Sequence, residues 1–184
     1  MSESSPGPKG EQARPAWAMA DLLSALRVPL AVAFLVVTNA GWRLGFVSAA
    51  AATDLLDGPV ARRYGSSRLG AVLDPVADKL FMAAAFAVVL LSGRLAPLEI
   101  AGVLLRDIVA TGAFLATALF HRPRAIPARL GGKAVTVAQL LTLVAFLADS
   151  SYLRPLAWAT AAVALYAIYD YSRAARAEHH AVVP

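Results

Sequence analysis

The stretch TDLLDGPVARRYGSSRLGAVLDPVADKL, Thr53 to Leu80, decides how this chain is read. It sets four aspartates, Asp54, Asp57, Asp74 and Asp78, into two otherwise apolar segments. A carboxylate at the centre of a hydrocarbon layer costs about 3 kcal/mol or more, so a chain that keeps four has a use for them. Asp54 and Asp57 are three residues apart, and Asp74 and Asp78 four apart. Both spacings put the pair on one face of a helix. The short connection between the pairs predicts two antiparallel, neighbouring helices with all four carboxylates near the same end. Carboxylates gathered in this way repel one another unless cations neutralise them. Hard divalent ions with oxygen ligands suit such a set, Mg²⁺ or Mn²⁺ above others. Two ions about 3.5–4 Å apart form a clamp for in-line attack at phosphorus.

The residues between the aspartates fit the same chemistry. Gly58 and Gly70 remove side chains beside the carboxylates and let a bulky ligand approach the backbone. Arg62, one helical turn beyond Gly58, offers a bidentate fork to a phosphate. Ser67 adds a hydroxyl. The competing reading is structural: the aspartates pair with Arg62, Arg63, Arg68 and Lys79 in an ion network at a membrane surface. Four carboxylates framed by two glycines exceed what such a network needs.

Working outward, the whole chain of 184 residues is 59% hydrophobic, with a mean hydropathy of +0.62. Soluble domains hold roughly 45–50% apolar residues, and a chain this short has too little interior to bury the excess. Six apolar segments follow a polar tail at 1–15, at roughly residues 19–39, 43–63, 71–92, 97–120, 132–149 and 153–172. Each is long enough for about 30 Å of hydrocarbon, the fifth narrowly. The expected fold is all-α and polytopic: a disordered tail over 1–15, one six-helix transmembrane domain over 16–176 and a C-terminal tail over 177–184.

Lysines and arginines concentrate in the tail, at Arg62, Arg63 and Arg68, at Arg122, Arg124, Arg129 and Lys133, and at Arg173 and Arg176. The alternate connections carry one each, Arg43, Arg94 and Arg154. The positive-inside rule then puts both termini and the aspartate site in the cytoplasm. The formal charge of +5 is spent at segment ends facing anionic headgroups, without the aromatic interleaving of a nucleic-acid reader. No cysteine is present, so a metal must take oxygen or histidine ligands, and His121, His179 and His180 lie outside the apolar segments.

The pattern Asp54-x2-Asp57-Gly58-x2-Ala61-Arg62-x7-Gly70-x3-Asp74-x3-Asp78 resembles the signature of the CDP-alcohol phosphatidyltransferase family, with seven residues between Arg62 and Gly70 where the family usually has eight. The resemblance continues in Asp21-x2-Ser24-x2-Arg27, where the family has Asn first, and in Arg106-Asp107. It extends to Gly132-Lys133-Ala134-Val135-Thr136, where Val135 replaces a second lysine, and to Tyr171-Ser-Arg-Ala-Ala-Arg176. The chain end and length are similar to those of phosphatidylglycerophosphate synthases. The resemblance implies an integral enzyme of a bacterial inner membrane, its site facing the cytoplasm. It would move a phosphatidyl group from CDP-diacylglycerol to glycerol 3-phosphate and release CMP. Two metal ions are implied, one held by Asp54, Asp57 and Asp74 and one by Asp54, Asp74 and Asp78, with Asp78 the general base. Gly58, Ala61, Arg62, Ser67 and Gly70 would line the CDP-diacylglycerol pocket, with Ser24 and Arg27 reaching it from the first helix. Family members tend to be homodimers.

The acceptor is less determined. Arg106, Lys133, Arg124 and Arg129 are the candidate acceptor-phosphate ligands, and each also satisfies the positive-inside pattern. Arg106 stands apart because it lies in an apolar segment; a direct pair with Asp107 is not expected, since adjacent residues do not share a helix face. Val135 removes one expected phosphate ligand. A cardiolipin synthase of the same family, accepting on a lipid, is the nearest rival, followed by an inositol-phosphate type. A cation transporter is the non-enzyme alternative, disfavoured because the aspartates gather at one end instead of tracing a path.

Overall fold

Turn chemistry sets where the helices stop and start. The computed structural model of the protein describes residues 19–64, 70–119 and 130–181. Asn39 caps the second helix, its Oδ1 accepting from the Trp42 amide at 3.2 Å. Pro97 opens the fourth, and Glu99 reaches back to accept from the Ala96 amide at 2.7 Å. Gly93, at φ 70°, closes the third. Asp149, at φ 52°, closes the fifth, with the Ser150 amide donating to Ala145 and the Asp149 amide to Phe146. The elements are α1 (Met19–Val36), α2 (Ala40–Tyr64), α3 (Gly70–Leu91), α4 (Pro97–Leu119), α5 (Leu130–Leu147) and α6 (Leu153–Ala181). No strand occurs among the described residues.

All six expected segments are helices. α6 continues to Ala181, past the boundary expected at 176, because the stretch after Tyr171 is rich in the helix formers Ala, Arg and Glu. Among the described residues no helix is long and apolar enough to cross a membrane. The site's own charges interrupt the apolar runs: Asp21 and Arg27 in α1, and Asp74, Asp78 and Lys79 in α3. The expected tail at 1–15, Ser67, Arg124 and Arg129 lie outside the described residues.

Two sets of three helices build the bundle. α1 packs against both α2 and α3, and α6 against both α4 and α5. The sets meet where α2 touches α5 and where α3 touches α4 and α5. This corrects the expectation that α2 and α3 are direct neighbours. Among the described residues each packs far more extensively on α1, which lies between them. The consequence is that a residue of α1 stands among the aspartates.

Phe34 of α1 anchors this arrangement. Its ring is fully buried, packs edge-to-face on Phe81 of α3 at 5.9 Å between centroids, and lies under the Arg43 guanidinium of α2 at 5.3 Å. Around it the core draws on every helix, with Phe86 and Val89 of α3, Val103 of α4, Leu143 of α5 and Ala157 of α6. A second buried cluster joins Val135 of α5 to Ala164 and Ala167 of α6. Phe34→Ala is expected to destabilise the bundle by about 3–5 kcal/mol, read as a lowered unfolding midpoint in detergent micelles. A loss below about 1 kcal/mol would mean that the α1–α3 seam is not a principal support.

Candidate active site

Arg27 lies at the centre of the aspartates. α1 presents Asp21, Ser24 and Arg27 on one face, at intervals of three residues, and all three are buried. Asp21 stands in the first turn of the described helix. The Arg27 guanidinium, 1% exposed, donates through Nη1 to Asp74 Oδ1 at 2.8 Å. Its Nη2 pairs with Asp57 Oδ2 and lies 3.4 Å from Asp54 Oδ1. Its Nε donates to Thr53 Oγ1 at 3.3 Å, and Ser24 Oγ donates to Asp74 Oδ1 at 3.1 Å. The sequence pattern brought Arg27 to the nucleotide pocket; the structure brings it to three carboxylates of α2 and α3. An ion network does exist, and Arg27 of α1, which was not among the expected cations, is part of it, while Lys79 pairs with Asp107 of α4; Arg68 and the side chain of Arg62 lie outside the described residues.

Each helix of this corner carries a proline close to its site residue: Pro29 after Arg27, Pro59 after Asp57 and Pro75 after Asp74. A proline inside a helix removes one backbone hydrogen bond and loosens the turn before it. The three site helices therefore relax locally around the carboxylates. The backbone at Gly58, Ala61, Arg62 and Gly70 is helical.

The Arg27 guanidinium faces three carboxylates, and Asp78 lies within electrostatic reach of Asp54 and Arg27. Arg27 forms the buried floor, while the side chains of Asp54 and Asp74 are 52% and 46% exposed. Asp57 Oδ1 is buried without a hydrogen-bond partner among the described residues. Every donor is a carboxylate oxygen, which is the donor chemistry of a hard divalent cation. The side chains are turned onto Arg27, however, and among the described residues no three acidic or histidine groups converge as ligands of one ion. An ion entering this corner competes with Arg27 for the same oxygens.

A second polar assembly adjoins the first across α3. Lys79 Nζ donates to Asp107 Oδ1 of α4 at 2.9 Å. Gln139 Nε2 of α5 donates to Asp107 Oδ2 at 2.7 Å and to the Val103 carbonyl at 2.9 Å. Arg106 Nη1 donates to Asp107 Oδ1 at 3.1 Å. The direct Arg106–Asp107 pair corrects the sequence expectation: the long arginine side chain folds along the backbone far enough to reach its neighbour. The Arg106 guanidinium also lies against Gly132, where a Cβ would stand 2.7 Å from Nη2 and 3.1 Å from the Tyr171 hydroxyl. Lys133 is exposed. Val135 is fully buried among Ala164, Ala167, Leu105 and Val163. Thr53 was not legible as a site residue, because its partner Arg27 lies 26 residues away.

The chain is 31% identical to the human cardiolipin synthase (CMP-forming) over 193 aligned residues, covering 85% of this chain and 62% of that protein. The rat protein of the same name gives 31% over 192 residues, with the same coverage of each chain. A putative cardiolipin synthase of Mycobacterium tuberculosis (strain ATCC 25618 / H37Rv) is 36% identical over 122 residues, 63% of this chain and 57% of that one. The chain thus spans about three fifths of the length of these relatives. No solved structure matches it. The sequence model of the CDP-alcohol phosphatidyltransferase family matches residues 17–168, a span that holds both aspartate pairs, Arg27 and the Lys79–Asp107–Gln139 assembly, and the chain belongs to that family.

Proposed function

We propose that the chain transfers a phosphatidyl group from CDP-diacylglycerol to phosphatidylglycerol, forming cardiolipin and releasing CMP. This replaces glycerol 3-phosphate as the preferred acceptor. The observation that carries it is Val135. A small phosphorylated acceptor calls for a further cation at this position, and the side chain there is buried in an apolar cluster between α5 and α6. The name cardiolipin synthase carried by the relatives supports the same acceptor class.

In this reading the acceptor hydroxyl oxygen attacks the phosphorus that bears diacylglycerol. The bond from that phosphorus to the CMP oxygen breaks, and the hydroxyl proton passes to the Asp78 carboxylate. Asp78 takes no hydrogen bond among the described residues, and it stands within electrostatic reach of both Arg27 and Lys79. Asp54, Asp57, Asp74 and Asp78 would hold Mg²⁺ or Mn²⁺, which when bound neutralises the pyrophosphate and the departing CMP. Arg27 orients the three inner carboxylates and keeps them from collapsing apart in the ion's absence.

The setting proposed for this reaction is a bilayer, with the site at the cytoplasmic headgroup level. Polar side chains point inward in this bundle: Arg27, Asp57, Gln139, Thr142 and Thr160 are buried. Large apolar side chains point outward, with Leu55 76% and Leu91 84% exposed, joined by Val36, Trp42 and Leu98. That distribution is the reverse of a water-soluble fold, and a surface so apolar fits lipid. Lipid then meets the outer face of the bundle, while the charges of α1 and α3 are shielded within it.

Purified protein in micelles, given CDP-diacylglycerol and a divalent ion, is expected to release CMP with phosphatidylglycerol and to release little with glycerol 3-phosphate or inositol phosphate. Preference for a small phosphate would return the acceptor to the first reading, and absence of CMP with every acceptor would sink the enzyme reading. Asp78→Asn is expected to lower kcat by about 10²-fold or more while leaving the KM for CDP-diacylglycerol near wild type; near-normal turnover would remove Asp78 as proton acceptor. Arg27→Met removes the buried guanidinium that faces the carboxylates, and loss of one partner of a buried pair costs about 3–5 kcal/mol. The expected result is a lower melting midpoint in chelator and a larger recovery on adding Mg²⁺ or Mn²⁺ than wild type shows. Equal recovery in both proteins would mean that the ion does not sit with these carboxylates.

A further inference from the structure

A cavity of about 450 Å³ opens between α3 and α4. Asp78 and Lys79 line its polar part, and Met82, Leu104 and Ile108 its apolar part. Its volume lies within the roughly 300–1,000 Å³ of small-ligand clefts. Ile108 and Gly112 on its rim are exposed, so it opens sideways to whatever surrounds the bundle.

We infer that this cavity is the acceptor's binding site, holding an anionic glycerophospholipid by its headgroup, with Lys79 as the ligand of the acceptor phosphate. The inference rests on the lipid-acceptor reading above. The polar end formed by Asp78 and Lys79 and the apolar remainder of the lining suit that occupant. Asp107 is saturated: Lys79 and Arg106 donate to one oxygen and Gln139 to the other. It acts as a fixed anchor that points the Lys79 ammonium at the cavity. An ammonium has three donors, and Asp107 takes one of those of Lys79 among the described residues. The side chain is 31% exposed, leaving donors for a phosphate oxygen. Asp78 supplies an acceptor for a headgroup hydroxyl, and the apolar lining receives the start of an acyl chain.

Reaction geometry points the same way. The donor's pyrophosphate belongs with Asp54, Asp57 and Asp74 in the corner between α1, α2 and α3. In-line displacement brings the nucleophile from the face opposite the leaving group. Asp78 lines the α3–α4 cavity and also lies within electrostatic reach of Asp54 and Arg27, so an acceptor hydroxyl held beside it in the cavity can approach the donor phosphorus.

Gly112→Trp tests this directly. A Cβ built at Gly112 meets nothing within 4 Å, so the fold accommodates the change while the indole fills the cavity. The KM for phosphatidylglycerol is expected to rise about tenfold or more, with the KM for CDP-diacylglycerol within about twofold of wild type. Ala83→Phe, on the exposed α3 wall of the same cavity, serves as the second variant and is expected to act alike. Lys79→Met is expected to raise the same KM, and Lys79→Arg to restore most of the loss. If wild type turns over phosphatidylglycerol and neither filling variant changes its KM, the cavity assignment is wrong and the function stands. If the KM for CDP-diacylglycerol rises instead, the cavity belongs to the donor and the inference is overturned. If wild type makes no cardiolipin, the functional reading itself fails, and the inference falls with it.

Discussion

One guanidinium, that of Arg27, holds the site together. It is buried, and it reaches Asp54 and Asp57 on α2 and Asp74 on α3. Without it, the carboxylates of α2 and α3 would lose the buried cation that offsets their repulsion. Its position explains the order of packing. α1 must lie between α2 and α3 for one side chain to touch both, and it does. Phe34, about two turns along the same helix, fixes that placement from the apolar end through Phe81 and Arg43. Packing at one end of α1 thus positions chemistry at the other.

Burial of Arg27 leaves the outward oxygens of Asp54 and Asp74 open, and Oδ1 of Asp57, without a hydrogen-bond partner among the described residues, adds one more acceptor. On the proposed function these oxygens are where a hard cation and, through it, a phosphate would be held.

Much of the fold was legible in the sequence, because hydropathy and turn residues mark where helices begin and end. Asn39, Gly93, Pro97 and Asp149 all fall at real boundaries. What hydropathy does not carry is the order in which helices pack. The short α2–α3 connection pointed to direct neighbours, whereas α1 intervenes. For the same reason the aspartates were legible as a group and their partner was not: Arg27 lies 26 residues from Thr53 and 47 from Asp74 along the chain. Val135 was legible as a departure from a pattern. Its meaning came only from its neighbours Ala164 and Ala167, which make the position apolar on every side. Arg106 and Asp107 were misjudged because helix-face arithmetic locates Cβ atoms, and an arginine's charge is carried several bonds beyond its own.

Helical geometry makes α3 a wall with two working faces. Each residue turns the helix by about 100°. From Asp74 to Asp78 the net rotation is therefore about 40°, and Lys79 lies about a further 100° around. Asp74 faces α1 and Arg27, Lys79 faces α4 and Asp107, and Asp78 stands between the two directions. An i, i+4 pair followed at once by a lysine thus places a carboxylate where both sides can reach it and a cation where one side can. Pro75 fits this division, because it frees the backbone beside Asp74 without disturbing the turn that carries Asp78 and Lys79. A site that joins two anionic lipids must bring a hydroxyl of one to a phosphorus of the other while their phosphates stay apart. A single helix wall with a carboxylate at its edge meets both demands.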